Sequence, residues 1–256
     1  RRSSDLDLIT ARLETGGRLF YVGAGTSGRL GVLDLAECKP TFGVGSDTVE
    51  AIIAGGPGAI IESVEEAEDD FQQGGQELKN RCISKKDAIV GITASGSTPF
   101  VLGALSMAKK AQATTIGLAC NNNSRIREYA DIAIEVVVGP EVLAGSTRMK
   151  AGSAQKMVLN MISTTTMVKL GKVYENLMVD MQITNQKLLQ RAIRIVQIAT
   201  GVSAEEAQVL LGSSGRNIKL AIVMGKLEVD LATALKLLNR GRGFVRKAVT
   251  IGLEDR

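Results

Sequence analysis

"YVGAGTSGRLGVLD", residues 21–34, is the stretch that most directly indicates the fold. Its apolar beginning predicts a buried strand, its glycines predict a tight turn, and the residues after them predict a helix. Gly23, Gly25 and Gly28 also fit G-x-G-x-x-G, the pattern of dinucleotide-binding turns. The first question is therefore whether this turn binds a pyrophosphate or another kind of phosphate.

Strand-like and helical segments alternate along most of the chain. The segments that predict further strands are "TVEAIIAGG", "DAIVGITASG", "TTIGLACNN" and the end of "SRIREYADIAIEVVVG". Helices are predicted between them, including an acidic helix over "IIESVEEAEDDFQQGGQELKNR", residues 60–81, and a later helix over "VYENLMVDMQITNQKL", residues 173–188. This alternation predicts an α/β fold, a three-layer αβα arrangement around a central parallel sheet.

The end of the chain has a different character. From about Val202 onward the pattern is that of short helices, and Ser203 and Glu206 have the spacing of a capping box. We therefore predict two domains, residues 1–195 and a small three-helix C-terminal domain at residues 196–256. Modules of the second kind are usually structural or protein-binding, so no chemistry is assigned to it.

The composition excludes several kinds of chemistry. The chain of 256 residues has no histidine, which rules out Ser-His-Asp and Cys-His catalysis and every metal site that needs histidine. Proton transfers would then fall to Glu, Asp, Lys, Tyr or Cys side chains or to groups of the substrate. The net charge of +4 comes without a basic segment rich in aromatic residues, so no nucleic-acid partner is predicted.

The cysteines and the apolar runs predict the compartment. Cys38, Cys82 and Cys120 are far apart and form no C-x-x-C pair, which is typical of reduced thiols in a cytoplasmic protein. The sequence has no recognisable signal peptide and no apolar run long enough to cross a bilayer, so no membrane partner is predicted. It does not begin with methionine, which predicts a fragment or a processed product.

A second turn repeats the plan of the first. "AIVGITASGSTPF", residues 88–100, again has a strand, a turn of small polar residues and a helix. Hydroxyls and free N–H groups at a helix N-terminus bind anions well, and both turns fall at the carboxyl edge of a parallel sheet. The candidate phosphate-binding residues in the two turns are Thr26, Ser27, Ser95, Gly96, Ser97 and Thr98.

The dinucleotide interpretation is the weaker one. It needs an acidic residue at the tip of the next strand, about 20 residues on, to hold the ribose. That strand ends in "AIIAGG" without a carboxylate. Two turns rich in Ser and Thr favour a compact phosphomonoester instead. For either turn alone, hydroxyls that merely cap helices are the favoured explanation, whereas the two turns together favour a phosphate site.

Long segments of the chain resemble the bacterial N-acetylmuramic acid 6-phosphate etherases of the sugar isomerase (SIS) superfamily. They are "GRLFYVGAGTSGRLGVLDLAECKPTFGV", "IIAGGPGAIIESVEEAEDD", "VGITASGSTPFVLGAL", "VVGPEVLAGSTRMKAGSAQKMVLNMIS" and "LGKVYENLMVDM". The resemblance covers nearly the whole chain. It implies that residues 1–195 are a SIS domain and that the tail is the family's small helical domain, while the family's helical N-terminal stretch is missing.

The resemblance also implies a reaction in cell-wall amino sugar recycling. Family members remove D-lactate from N-acetylmuramic acid 6-phosphate and leave N-acetylglucosamine 6-phosphate. The reaction is an elimination followed by hydration and needs no metal or organic cofactor. By motif match, Glu37 in "LAEC" corresponds to the proton donor and Glu68 in "VEEAED" to the second catalytic glutamate, the base.

These assignments depend on the resemblance, because the residues alone predict less. Without it, Glu37 is a polar residue near a helix end and Glu68 belongs to an acidic run that would normally be a solvated face. Ser146 and Lys150 in "GSTRMK" are either substrate contacts or a helix cap with surface cations, and Glu141 is a possible further contact. Most family members have Arg where this chain has Ser97, and the "ECPP" of the family is "ECKP" here.

SIS domains generally pair, so the resemblance implies a homodimer. The methionines and leucine of the late helices fit core or interface packing rather than a cofactor site, namely Met157, Leu159, Met161, Met167 and Met178. Two other functions stay open: a non-catalytic SIS sensor or regulator that binds a sugar phosphate, and a phosphosugar isomerase.

Overall fold

The computed structural model describes residues 2–45, 47–64 and 66–255. Its contacts divide the chain into two compact units, residues 1–38 with 44–166 and residues 39–43 with 167–256. The strands are β1 (Leu19–Gly23), β2 (Val49–Ile53), β3 (Ala88–Ile92), β4 (Thr114–Ala119), β5 (Ile132–Glu135), β6 (Val173–Tyr174) and β7 (Leu177–Met178). The helices are α1 (Arg2–Glu14), α2 (Gly25–Phe42), α3 (Phe71–Asn80), α4 (Pro99–Lys110), α5 (Ile126–Tyr129), α6 (Lys150–Lys169), α7 (Gln186–Thr200), α8 (Ala204–Ser213), α9 (Ile218–Leu227), α10 (Leu231–Arg240) and α11 (Val245–Glu254).

The first unit is built on one parallel sheet of five strands in the order β2-β1-β3-β4-β5. Leu19 of β1 pairs with Val49 of β2 on one side and with Ala88 of β3 on the other. Every residue of β1, β3 and β4 is buried, as expected for strands with a helical layer on each face. The predicted parallel sheet is therefore confirmed.

Helices cover both faces of this sheet. On one face α3 and α4 pack together over Phe20 and Ile89, which belong to a single apolar cluster with both helices. On the other face Gly31 of α2 lies directly against the side chain of Tyr21. Burying a side chain the size of Leu or Phe stabilises a fold by about 1.5–3 kcal/mol, so the packing of these layers on the sheet stabilises the first unit. The three-layer αβα prediction is confirmed.

The glycines of the G-x-G-x-x-G pattern allow close packing of backbone and side chains. A Cβ atom on Gly23 would lie 2.6 Å from the backbone nitrogen of Gly28. A Cβ atom on Gly28 would lie 2.6 Å from Cγ1 of Ile53 at the end of β2. The first turn therefore needs these two glycines for the approach of α2 to the sheet, whatever ligand it binds.

The acidic stretch before α3 is not an α-helix, and the prediction of one helix over residues 60–81 is wrong there. Between Ile61 and Asp70 the described residues contain one 3-10 turn, Ala67–Asp69, and α3 begins only at Phe71. Glu66 has a φ of 63°, a left-handed conformation that interrupts a helix. Asp70 then caps α3 by accepting a hydrogen bond from the Gln73 N–H at 2.8 Å.

The second unit also departs from the predicted pattern. The prediction of a helix over residues 173–188 is wrong in its first half, where β6 and β7 form an antiparallel hairpin around Glu175 at φ 53°. Among the described residues, four helices follow position 202, α8–α11, where three were predicted, and the basic tail forms the last of them with Val245 and Ala248 buried. The capping box of Ser203 and Glu206 is confirmed. The domain boundary at 195/196 stays a prediction, and the contact units meet earlier, at 166/167.

The core of the second unit consists of apolar side chains from α7–α11 together with Val179 and Met181, and a lysine of α9 is buried beside them. Lys219 is almost fully buried, and its ammonium pairs with the carboxylate of Asp180 at 2.5 Å. Burial lowers the pKa of Lys219, while the hydrogen bond to Asp180 acts in the opposite direction.

Among the described residues, no helix combines the length and the apolar character that crossing a membrane requires.

Candidate active site

The second turn joins β3 to α4 at the carboxyl edge of the sheet. Thr98 precedes α4, but its hydroxyl lies 2.7 Å from the hydroxyl of Thr93 and makes no capping bond to the helix. Ser95 and Ser97 are exposed, and their hydroxyl oxygens lie 3.0 Å apart. The explanation by helix capping therefore fails for Thr98. The N–H groups in the first turn of α4 therefore receive no acceptor from the side chain of Thr98, and a phosphate contact at this turn stays a prediction.

Gly96 holds this turn against the next loop. Its φ is 76°, and a Cβ atom there would lie 2.2 Å from Cβ of Ser124. Its carbonyl accepts a hydrogen bond from the Ile126 N–H at 2.9 Å. Ser124 is in turn fixed by Glu135, which accepts from the Ser124 N–H at 2.9 Å and from its hydroxyl at 2.7 Å. The turn is therefore supported from the ends of β4 and β5.

Glu135 is held as a carboxylate by its partners. The hydrogen bonds from Arg127 lower the pKa of Glu135 to about 2, against the raising effect of burial, and Ser124 adds to the lowering. A group whose pKa is lower in the folded state stabilises the fold above its ordinary pKa. That contribution is lost as the pH falls through the folded value. For Glu135 this range runs from 4.5 down to about 2.

We expect Glu135→Gln to lower the free energy of unfolding by about 1–3 kcal/mol at neutral pH, since it removes charge-assisted hydrogen bonds and sets a neutral amide against Arg127. Urea unfolding of wild type and variant measures the difference across pH. It should be constant above 4.5 and narrow as the pH falls toward about 2. A difference independent of pH would contradict this account of the pKa.

The first turn faces α6. The hydroxyl of Ser27 is buried and donates to Oε1 of Gln155 at 3.0 Å. Nε2 of Gln155 is also buried and has no hydrogen-bond partner among the described residues. Thr26 lies beside Gly152, where an added Cβ would be 3.3 Å from Cγ2 of Thr26. A phosphate contact by Thr26 or Ser27 stays a prediction, and for Ser27 it requires the hydroxyl to leave Gln155 or the backbone to act instead.

The N-terminus of α6 already holds a carboxylate. Glu141 accepts hydrogen bonds from the N–H groups of Lys150, at 2.8 Å, and Ala151, at 3.0 Å. These backbone bonds, that from Ala151 first, lower the pKa of Glu141. The ammonium of Lys150 donates to the carbonyl of Pro140 at 2.9 Å, and Ser146 lies in the turn before the helix. Substrate contacts by Ser146 and Lys150 stay predictions. Glu141 binds the start of the helix.

A cavity of about 220 Å³ lies beside the first turn, between the ends of β1 and β2 and the acidic segment. Gly25 and Arg29 line it on the side of α2, and Glu68 lines it on the opposite side. Glu68 is exposed and stands in the 3-10 turn that replaces the predicted helix. The structure thus brings one of the two predicted catalytic glutamates to the glycine-rich turn.

Glu37 does not line this cavity. It lies on α2 twelve residues after Gly25, which places it about 18 Å further along the helix axis. Its side chain is exposed, as is that of Leu33 one turn earlier, while Asp34 and Cys38 face inward. Within the described chain the two glutamates therefore belong to different surfaces.

The buried side of α2 fixes the direction in which Glu37 points. Asp34 accepts a hydrogen bond from the hydroxyl of Ser163 in α6 at 3.1 Å. Burial raises the pKa of Asp34, and burial followed by the neighbouring Asp34 raises the pKa of the Cys38 thiol to about 12. Because these side chains lie between the two helices, Glu37 is left on the outer face.

Several residues that support the site were not found from the sequence. Arg29 in the cavity, Gln155 behind the first turn and Glu135 behind the second all act through tertiary contacts. Only Arg29 carried a local signal, since it follows the glycine turn by one residue. Among the described residues, no three His, Cys, Asp or Glu side chains come together in a group that could hold a metal ion.

The fold and the two turns define a SIS-type protein. A family model described as "SIS domain" matches residues 64–165. Two further models match, the "Glucokinase regulatory protein N-terminal SIS domain" at residues 3–109 and the "C-terminal lid domain of glucokinase regulatory protein" at residues 175–219. A putative phosphosugar isomerase of Bacteroides fragilis is similar in structure, with a TM-score of 0.51 and 15% identity over 68% of this chain and 81% of that one.

Sequence relatives identify the family within this class. The N-acetylmuramic acid 6-phosphate etherase 1 of Bacillus licheniformis is 54% identical over 96% of this chain and 81% of its own length. The N-acetylmuramic acid 6-phosphate etherase of Clostridium acetobutylicum is 52% identical over 96% of this chain and 82% of its own length. This chain belongs to the N-acetylmuramic acid 6-phosphate etherase family.

Proposed function

We propose that this chain is an enzyme with the activity for which its relatives are named. It cleaves the lactyl ether of N-acetylmuramic acid 6-phosphate to N-acetylglucosamine 6-phosphate and D-lactate, a carbon–oxygen lyase reaction in cell-wall amino sugar recycling. Identity above 50% to etherases over nearly the whole chain supports this. The geometric observation that carries it is Glu68 beside a glycine-rich turn at the carboxyl edge of the sheet.

The chemistry needs one base and one acid. The base removes the proton from C2, beside the aldehyde carbon of the opened sugar. The bond from C3 to the ether oxygen then breaks, that oxygen takes a proton from the acid, and D-lactate leaves. Water adds to the resulting unsaturated aldehyde, so that C3 gains a hydroxyl and C2 regains a proton. Carboxyl groups can perform both transfers, which suits a chain without histidine.

We assign the base to Glu68 and the proton donor to Glu37, and the phosphate to the second turn. Ser95, Ser97 and the N-terminus of α4 offer hydroxyls and N–H groups to it. The strand β1 lies beside β3, so the two turns are one strand spacing apart, about 5 Å. A sugar with its phosphate at the second turn can therefore extend toward Glu68.

The position of Glu37 favours a homodimer in which the partner completes the site. The side chains of Leu33 in α2 and of Met157 and Met161 in α6 are 46%, 64% and 45% exposed. Glu37 is also in α2, which packs against α6 through Asp34 and Ser163. Leu159 and Met167 are buried in the core, so only part of the predicted apolar set is available to a partner. We propose that a second copy covers this surface and receives Glu37 into its own cavity.

The regulator stays the second candidate, because two of the matching models are named for a glucokinase regulatory protein. Such a protein would bind the sugar phosphate without turning it over.

The three free cysteines fit the predicted cytoplasmic location.

The test is the release of D-lactate from N-acetylmuramic acid 6-phosphate, with product identified by mass spectrometry. We expect one D-lactate and one N-acetylglucosamine 6-phosphate for each substrate consumed. Binding of the sugar phosphate by calorimetry without any lactate would favour the regulator. An isomerised sugar phosphate that keeps its lactyl group would favour the isomerase.

A further inference from the structure

Arg29 is the cation among the residues that line the cavity beside Glu68. The other charged side chains that line it are Glu66 and Glu68, both acidic. Its remaining walls are mostly small or apolar, with Ala24, Ala54 and Ala59 among them. A carboxylate entering this cavity would meet the two negative charges of Glu66 and Glu68 and the one positive charge of Arg29.

Among the described residues, the guanidinium of Arg29 makes a hydrogen bond through one of its three nitrogens. Its Nε donates to the carbonyl of Ile60, at the end of the 3-10 turn Pro57–Ile60, at 3.0 Å. Arg29 is partly buried in the first turns of α2. Among the described residues it makes no ion pair, and the carbonyl of Ile60 is its one hydrogen-bond acceptor. The two terminal amino groups therefore remain for a ligand, in the planar arrangement that matches a carboxylate.

We propose that Arg29 binds the carboxylate of the lactyl group and so selects an acid ether over a sugar phosphate without that group. This inference rests on the proposed function for the chemical class of the ligand. The substrate then has two anionic groups, and the second turn accounts for only one of them. Burying the other without a counter-charge beside Glu66 and Glu68 would oppose binding.

The strand order places the two anion sites at a suitable separation. The phosphate turn follows β3, and the cavity of Arg29 lies at the ends of β1 and β2. These ends are one and two strand spacings from β3, about 5 and 10 Å. The phosphate is attached to C6 of the sugar and the lactyl group to C3. Each group can therefore reach its own site while C2 and C3 lie near Glu68.

The experiment compares the binding of two ligands in the background of Glu68→Gln, where turnover does not interfere. Calorimetry gives the dissociation constants of N-acetylmuramic acid 6-phosphate and of N-acetylglucosamine 6-phosphate. We expect Arg29→Met to weaken the first by about 100-fold or more and the second by less than about threefold. Arg29→Lys keeps the charge but loses the planar fork, so an intermediate loss of about tenfold is expected. Lys110→Met is the matched control for lost charge, since Lys110 is exposed at the far end of α4.

The outcomes separate this inference from the proposed function. Equal weakening of both ligands would mean that Arg29 binds the phosphate or shapes the turn, and no weakening of either would mean that it is not a contact. Either result overturns the inference. Absence of lactate release by the chain with Glu68 intact overturns the proposed function. A preference for the acid ether that still depends on Arg29 would then leave the inference standing.

Discussion

Glu68→Gln is expected to lower kcat for D-lactate release by about 10²–10⁴-fold, the range for loss of a positioned general base. The amide fills the same space in the cavity but cannot accept the C2 proton. KM should stay the same or fall, because Glu68 makes no hydrogen bond among the described residues that the substitution would break, and because its loss removes one of the two negative charges that the carboxylate of the substrate meets in the cavity. The measurement is a steady-state assay of D-lactate over a range of N-acetylmuramic acid 6-phosphate concentrations.

The acidic segment supplies its own controls for this experiment. Glu62 is exposed and lines neither the cavity of Glu68 nor its larger neighbour of about 560 Å³. Glu62→Gln should therefore keep wild-type kcat. Glu66 lines both cavities. The kcat of Glu66→Gln therefore tests whether another carboxylate at this wall can act as the base in place of Glu68. A Glu68→Gln enzyme that retained more than about a tenth of wild-type kcat would contradict the assignment of the base.

A hybrid dimer of Glu37→Gln and Glu68→Gln subunits is expected to recover about half of wild-type activity, although each parent is nearly inactive. If every site combines Glu37 of one subunit with Glu68 of the other, the hybrid has one site with both substitutions and one with neither. The physical reason is the spacing along α2, where Glu37 lies about 18 Å beyond the turn that borders the cavity of Glu68. Co-expression with two affinity tags isolates the hybrid for the lactate assay.

The reciprocal hybrid makes the result unambiguous. Its subunits are wild type and the double variant Glu37→Gln, Glu68→Gln. Shared sites would leave this hybrid inactive, since each site then contains one substitution, whereas sites within one chain would leave about half of the activity. A protein that runs as a monomer in size-exclusion chromatography at micromolar concentration would contradict the dimer itself.

Local patterns in the sequence were enough for the fold class and for the positions of both turns. A buried strand, a glycine turn and a helix are each encoded by residues close together in the chain, as in residues 21–34 and 88–100. The parallel order follows from alternation of these units. Long motifs also identified the family, with a relative 54% identical over 96% of the chain.

Two predicted helices, over residues 60–81 and 173–188, are wrong in their first halves, where turns with a positive φ replace the helical backbone. The acidic run before Phe71 has helical spacing, but the left-handed Glu66 interrupts it and the cap at Asp70 starts α3 only after it. Residues 173–178 are apolar enough for a helix, yet they fold back as a hairpin with Glu175 at positive φ. Short apolar runs carry too little periodicity to separate a helix from a strand.

The sequence by itself determined the family, the α/β class and the two Ser/Thr-rich turns, because these depend on residue types at short, fixed spacings. Only the tertiary structure decided that the hydroxyl of Ser27 faces Gln155, that Arg29 and Glu68 share a cavity, and that Glu37 lies elsewhere. Each of these facts depends on how segments far apart in the chain pack against one another. Such packing depends on how the side chains of distant segments fit together in the folded core, and the residues of one short segment do not determine that fit.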